Sequence, residues 1–252
     1  MNSKRLIVIS MAILVVSIIG ILLLPANSVL SDALLKHKRL SFSAITGYWW
    51  HGEVEGLAVD YRGYRIDIGQ LHWRFDWQTL ASANWCVDGA NSASQELIDT
   101  HFRLCYQLVE SRFQIIDSVV EIDAKTLAKV SGLEIAGQWM VNISSATIVD
   151  SRLLDVYGEA VWTRAQWHNG ESWFALGDVL STLEVNEPFA INVEVSDLNS
   201  PLQIELTTTF SPQQQWAVTG FIEPYGQLPT SLAESLELMS SNVAGKRYYF
   251  NY

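Results

Sequence analysis

The apolar positions of this chain follow two different rules. Leu6 to Leu24 reads LIVISMAILVVSIIGILLL, nineteen residues without a charge, directly behind Lys4-Arg5. Wound as a helix this run extends roughly 28 Å, close to the hydrocarbon thickness of a bilayer. It predicts a transmembrane helix over 6–24 behind a short tail, 1–5. No comparable run follows. Pro25 to Leu40 reads as a short helix or linker within a juxtamembrane segment, 25–44, with Ser31-Asp32 placed to cap a turn containing Leu34 and Leu35. From Ile45 the apolar period falls to two, and a β-rich domain is predicted over 45–252.

Glu53 to Asp60 and Tyr64 to Ile68 flank Tyr61-Arg62-Gly63 as a hairpin. Leu71, Trp73, Phe75 and Trp77 alternate with His72, Arg74 and Asp76, the pattern of a half-buried strand. Arg112 to Asp123 is a further strand, and Ala124 to Val130, rich in helix formers, interrupts it as a short helix. Leu133, Ile135, Gly137, Trp139, Val141 and Ile143 are expected on one face of the next strand. Leu153 to Thr163, Ser172 to Val185, Phe189 to Val195, Leu202 to Phe210 and Trp216 to Ile222 follow as strands. Pro229 to Met239 reads as a helix, with Leu232, Leu236 and Met239 on one side. Lys246 to Tyr252 is a closing strand. The turns at His168-Asn169-Gly170, Asn186-Glu187-Pro188 and Asn199-Ser200-Pro201 are short, which favours an antiparallel meander. The strand-rich halves on either side of Ala124 to Gly132 show no fixed repeat period.

A cleaved signal peptide competes with the anchor, because Ala26-Asn27-Ser28 resembles a small-x-small cleavage site. The length of the apolar run favours a retained anchor. Lys4 and Arg5 place the N-terminus in the cytoplasm, whereas Lys36, Lys38 and Arg39 on the far flank argue the other way. Cys86 and Cys105 bear on the choice. In an exported domain they suit one disulfide closing a loop of about twenty residues, worth on the order of 3 kcal/mol by chain entropy. Two buried thiols in a cytoplasmic domain are the alternative. With the signal-like N-terminus, the pair favours the periplasm of a Gram-negative cell.

Of 16 basic and 27 acidic residues, five basic and one acidic lie up to Arg39, leaving 11 and 26 beyond it, a balance of −15. Phosphate backbones repel such a domain, which excludes nucleic acid as a natural partner. Ten tryptophans are many for this length. They serve as core filler, and they also favour interfaces and bilayer edges.

No catalytic constellation is assembled. There is no G-x-S-x-G, phosphate-cradling loop or H-E-x-x-H. His101 and Cys105, four apart on a strand, would share a face, with only His72 and Cys86 left to complete a metal site. A disulfide and an exposed histidine account for the same residues. Glu53/Glu55 and Glu121/Asp123 read first as solvated strand faces. Tyr61 to Arg65 offers a basic, aromatic contact for lipid headgroups or a partner, and reads equally as strand-end tyrosines of a hairpin. Asn142-Ile143-Ser144 matches a glycosylation sequon, uninformative in a bacterial cell. No cofactor is expected, and the chain reads as non-catalytic.

A set of weak motifs gains weight from its order. Gly47-Tyr-Trp-Trp50-His-Gly52 precedes Gly56-Leu57; Leu71-His-Trp73-Arg-Phe75 follows with Leu80; then come Gly158-Glu-Ala-Val-Trp162-Thr-Arg-Ala165 and Leu176-Gly177-Asp178. Gly220-Phe-Ile-Glu-Pro224, Pro229 to Leu236 and Gly245-Lys-Arg-Tyr248 through Tyr252 close the chain. In this order, behind one anchor, the chain resembles the type II secretion system protein N family. Cys86 and Cys105 stand outside that pattern. The resemblance implies a single-pass inner-membrane protein with a periplasmic domain. Its partners would be other secretion subunits in the inner membrane and periplasm, in an apparatus that exports folded proteins across the outer membrane. It supplies no catalytic residues. The domain also looks like the AsmA-like class of curved β-grooves. This implies a rival function, lipid binding or transport, with acyl chains held on an apolar face lined by residues such as Trp139, Val141 and Ile143.

Overall fold

The computed structural model describes residues 3–35, 39–61, 63–91, 98–150, 152–170, 172–187, 189–211 and 216–252. Lys36, Lys38, Arg62 and Pro188, each part of an expectation above, lie outside the described residues. The fold is mainly β, with fifteen strands and antiparallel pairing throughout the described ladders. Among the described residues three short α-helices and one 3₁₀ turn accompany the strands, one helix in the juxtamembrane segment and two, as expected, in the β-rich domain.

The chain divides into two compact units, Met1–Phe75 with Gly89–Glu96, and Asp76–Asp88 with Leu97–Tyr252. The first begins with α1, Ser3–Leu22, and α2, Ala26–Leu35. Apolar side chains of α1 stand exposed on all sides, Met11, Ile13, Leu14 and Val16 among them. Among the described residues no helix is long and apolar enough to cross a membrane. The helix is therefore observed, and its passage through a bilayer rests on the sequence. Pro25 ends the apolar run as expected, but α2 starts immediately after it, so Ser31 and Asp32 lie within the helix rather than at its start.

Strands β1 (Leu40–Ser41) and β2 (Ala44–Tyr48) pair in succession along one edge of β3 (His51–Tyr61), whose other edge pairs with β4 (Tyr64–Asp76). The β3–β4 hairpin has the expected position, with Tyr61 opposite Tyr64. A bulge after Val54 breaks the strict alternation, so Val54 and Leu57, three apart, both turn inward. They pack with Ala26 and Ile45, and Leu30, Phe42, Ile68, Leu71 and Trp73 close around them. This small core holds α2 to the strands.

In the second unit Asp76 ends the tryptophan-rich strand. Its carboxylate accepts from the Gln78 N–H and caps a 3₁₀ turn, Trp77–Ser82, so Trp77 leaves the alternation expected of it. Then come β5 (Asn84–Asn91, whose last residues belong to the first unit), β6 (Ile98–Gln107) and β7 (Arg112–Asp123). Helix α3, Ala124–Ser131, follows; Asp123 caps its start and Gly132 closes its end in the left-handed region. Next are β8 (Ile135–Val149), β9 (Arg152–His168), β10 (Trp173–Glu187), β11 (Ala190–Asn199), β12 (Leu202–Phe210) and β13 (Trp216–Pro224). Helix α4 (Thr230–Met239), β14 (Asn242–Ala244) and β15 (Arg247–Asn251) complete it. Strands β6 to β13 pair each with the next, and β15 then joins β13 with β14 outside it. The halves flanking α3 are therefore continuous, since β7 pairs directly with β8.

Helix α4 covers part of the apolar face. Leu232 and Leu236 bury against Phe174, ringed by Trp167, Ile222, Leu228, Tyr248 and Phe250. Met239, expected on the same side, is half exposed at the helix end. A neighbouring cluster of Val179, Leu202 and Ile204 shares Ile222 and Leu228. On β15 the Arg247 guanidinium lies 4.4 Å over the Phe221 ring and pairs with Glu223. Hydrogen bonding to Glu223, and then to Tyr249, raises its pKa further above the usual guanidinium range, so it stays charged.

Leu236→Ala should destabilise the chain by about 2–5 kcal/mol, the cost of an unfilled apolar site, whereas Leu238→Ala, at a position 87% exposed, should change stability by less than about 0.5 kcal/mol. Urea unfolding of the detergent-solubilised chain measures both.

Candidate functional site at the end of the first helix

An α-helix leaves its last carbonyls without main-chain partners. At the end of α1 the Ile21 carbonyl accepts from the Leu24 N–H, and further donors to the last carbonyls come from a hairpin tip. Strands β2 and β3 pair Gly47 with Gly52 and Tyr48 with His51, which leaves Trp49 and Trp50 as a two-residue turn. Such turns favour Asn-Gly and its relatives at positive φ, yet here are two tryptophans, neither at positive φ. Their contacts supply the reason. The Trp49 indole N–H donates to the Ile21 carbonyl at 2.8 Å, and the Trp50 indole N–H to the Leu22 carbonyl at 3.0 Å. The Trp49 main-chain N–H donates to Leu24 at 3.3 Å, and Pro25 bridges to Tyr48.

The tip is held from behind by β4. The Trp73 indole N–H donates to the Trp49 carbonyl at 3.1 Å, and the Phe75 N–H to the Trp50 carbonyl at 2.7 Å. Tyr48 and Trp50 stack at 6.1 Å between ring centres, and Trp49 lies 5.8 Å from the Phe75 ring. Gly52 makes room for this packing. A Cβ there would come within 2.4 Å of the Thr46 carbonyl oxygen and 2.5 Å of the Trp73 ring. The result is a collar of amphipathic rings whose polar edges face the helix end. His51 adds a ring 4.0 Å from Trp50; the collar can grip a helix and meet a boundary between apolar and polar surroundings.

The residues singled out from the sequence lie elsewhere. Leu24, predicted as the last membrane residue, lies just past α1 and accepts from Trp49; of the Leu6 side chain nothing is described. Cys86 on β5 and Cys105 on β6 are joined by a disulfide in the second unit, both buried. His101 does not share the Cys105 face: a ladder irregularity between His101 and Arg103 shifts the alternation, leaving His101 exposed and Cys105 buried. Among the described residues no cluster of three or more His, Cys, Asp or Glu suits a metal ion. His72 pairs with Glu53, which also accepts from Gln70, and Asp123 caps α3.

Trp139, Val141 and Ile143 do share one half-buried face of β8, with Gln138, Met140 and Asn142 exposed on the other. Leu133 does not join them; it precedes the strand and is exposed. A register shift between Ala136 and Gln138 separates Ile135 from the same row. Trp139 stacks on Trp162 at 5.1 Å, and its indole N–H is buried with no hydrogen-bond partner among the described residues. In the sequence the Trp49-Trp50 pair stands only as part of a motif. The usable signal was two bulky aromatics between Gly47 and Gly52, where a turn would place small residues.

A family model described as type II secretion system protein N matches residues 38–251. The chain belongs to the type II secretion system protein N family. Neither a curated protein nor a solved structure matches it. The match to protein N takes in the collar's hairpin and every strand, and begins after α1 and α2. The tryptophan tip is thus where the protein N match meets the preceding helix.

Gly52→Ala should loosen this junction. The added methyl displaces either the Thr46 carbonyl or the Trp73 ring, so chymotrypsin, which cleaves after aromatic residues such as Tyr48, Trp49 and Trp50, should cut the β2–β3 hairpin of the detergent-solubilised variant faster than that of the parent chain. Equal cutting would show that the tip tolerates the shift.

Proposed function

We propose that this protein is a non-catalytic component of the type II secretion apparatus, held in the inner membrane by α1 with its β-rich domain in the periplasm. Membership of the protein N family, over residues 38–251, is the observation that carries the reading; it implies interaction with other components of the system. The uncharged run Leu6 to Leu24 supports the anchor, and the basic pair before it supports a cytoplasmic N-terminus. The Cys86–Cys105 disulfide supports an oxidising compartment. The non-catalytic part draws on how the polar groups are used: Asp76 and Asp88 hold Arg103, Asp123 caps a helix, and Glu53 meets His72.

Deletion of the gene should leave exported proteins stranded in the periplasm, and normal secretion would overturn an essential role. In cells quenched with acid and then denatured, so that burial and membranes no longer shield thiols, both cysteines should resist a maleimide-coupled polymer until a reductant is added, giving no gel shift before reduction and two adducts after it. Labelling without reduction would place the domain in a reducing compartment.

A second reading, a lipid-binding module, draws on one observation. The buried Trp139 indole N–H has no hydrogen-bond partner among the described residues, at one end of the half-buried stripe it forms with Val141 and Ile143, and leaving such a donor unpaired is costly. A lipid ester carbonyl would satisfy it. Native mass spectrometry of the detergent-released chain should then show co-purifying phospholipid that is lost in Trp139→Phe. Lipid-free protein in both would end this reading.

A further inference from the structure

The collar has a consequence for how the first unit meets the membrane, resting on the reading that α1 spans the bilayer. A helix that crosses roughly 30 Å of hydrocarbon uses about 20 residues, so the far end of the run Leu6 to Leu24 lies at the hydrocarbon boundary. The indoles of Trp49 and Trp50 are hydrogen-bonded to Ile21 and Leu22, within one turn of that end. They must lie at the same depth. Exposed apolar side chains recur along α1 from Met11 to Ile21 and continue at Leu23 and Leu24, with Leu22 half-buried where the rings begin.

The chemistry fits that depth. Indole and phenol rings prefer the headgroup level, where an apolar body and a polar edge are both accommodated. Tyr48, Trp49 and Trp50 are all partly exposed, and none carries a formal charge. The tip is also stiff. Its two carbonyls are bound from β4, its two indoles from α1, and Pro25 is bridged to Tyr48. A loose tether would leave the first unit free to drift from the surface. This joint fixes it there.

We propose that the Trp49-Trp50 hairpin tip is an interfacial membrane contact, which beds the first unit in the lipid headgroup layer beside the exit of α1. The partner is the bilayer interface itself. The sequence places two aromatics in a turn that local geometry would give to small residues, and the helix end together with the lipid boundary accounts for both.

The test uses the full chain in phosphatidylethanolamine–phosphatidylglycerol vesicles containing lipids brominated either near the headgroup or near the chain ends. In the parent chain, headgroup-proximal bromine should quench a component of the emission that aqueous iodide spares, and chain-end bromine should quench it less. Trp49→Phe and Trp50→Phe should each lower that component by on the order of half, since two indoles share the site. The iodide measurement needs no variant, so misfolding of either substitution leaves the proposal open to refutation. Carbonate extraction runs in parallel. A carbonate-resistant chain with no lipid-quenched component, or with one unchanged in both variants, would overturn the interfacial contact and leave the anchor standing. Extraction of the parent chain by carbonate would overturn both.

Discussion

From β6 to β13 each strand finds its hydrogen-bonding partners in the strands just before and after it, and this local pairing of main-chain groups carries the second unit. Side-chain burial does less. Among the described residues no large side chain is fully buried, and the apolar clusters are small. A ladder built from sequence neighbours satisfies its N–H and C=O groups without needing a deep core. It does need covers at the places where apolar residues gather. Helix α4 provides one over Phe174, and α3 packs against β7 and β8.

The same dependence on main-chain partners explains what was legible in the sequence. Strands β7 and β12 and helix α4 were readable nearly to the residue, because alternation or a helical stripe runs unbroken through them. Strands β5 and β6 were not named at all. Their apolar positions are interrupted by Asp88, His101 and Arg103, and the ladder there carries an irregularity. That irregularity also undid the expected His101–Cys105 face, since period-two reasoning fails wherever one residue is left unpaired. Leu133 failed for a related reason: a pattern of alternating residues does not reveal where pairing starts. Ser31-Asp32 looked like a cap because those residue types cap helices, but the proline before Ala26 had already set the start of α2.

The candidate site was legible only as a contradiction. Turn chemistry asks for small residues between Gly47 and Gly52, and the chain has Trp49 and Trp50. Local rules that fail without an evident local gain point to a demand from elsewhere in the structure. Here the demand comes from Ile21, Leu22 and Leu24, whose carbonyls sit more than twenty residues away in sequence. No periodicity links those positions, so a one-dimensional reading had no means of joining them.

The joint binds in both directions. The helix end takes donors from the tip because its own ladder is running out. The hairpin tip in turn owes its geometry to the helix, since two indole N–H groups and one main-chain N–H are directed at α1 and the residues just beyond it. An apolar helix of equal length, joined to the strands by a flexible linker, would leave the tip without acceptors. The specific end of α1 therefore matters beyond its hydrophobicity. Moving it by one residue would carry the carbonyls about 100° around the helix axis, and the two tryptophans, whose main-chain carbonyls are held by Trp73 and Phe75, could not follow.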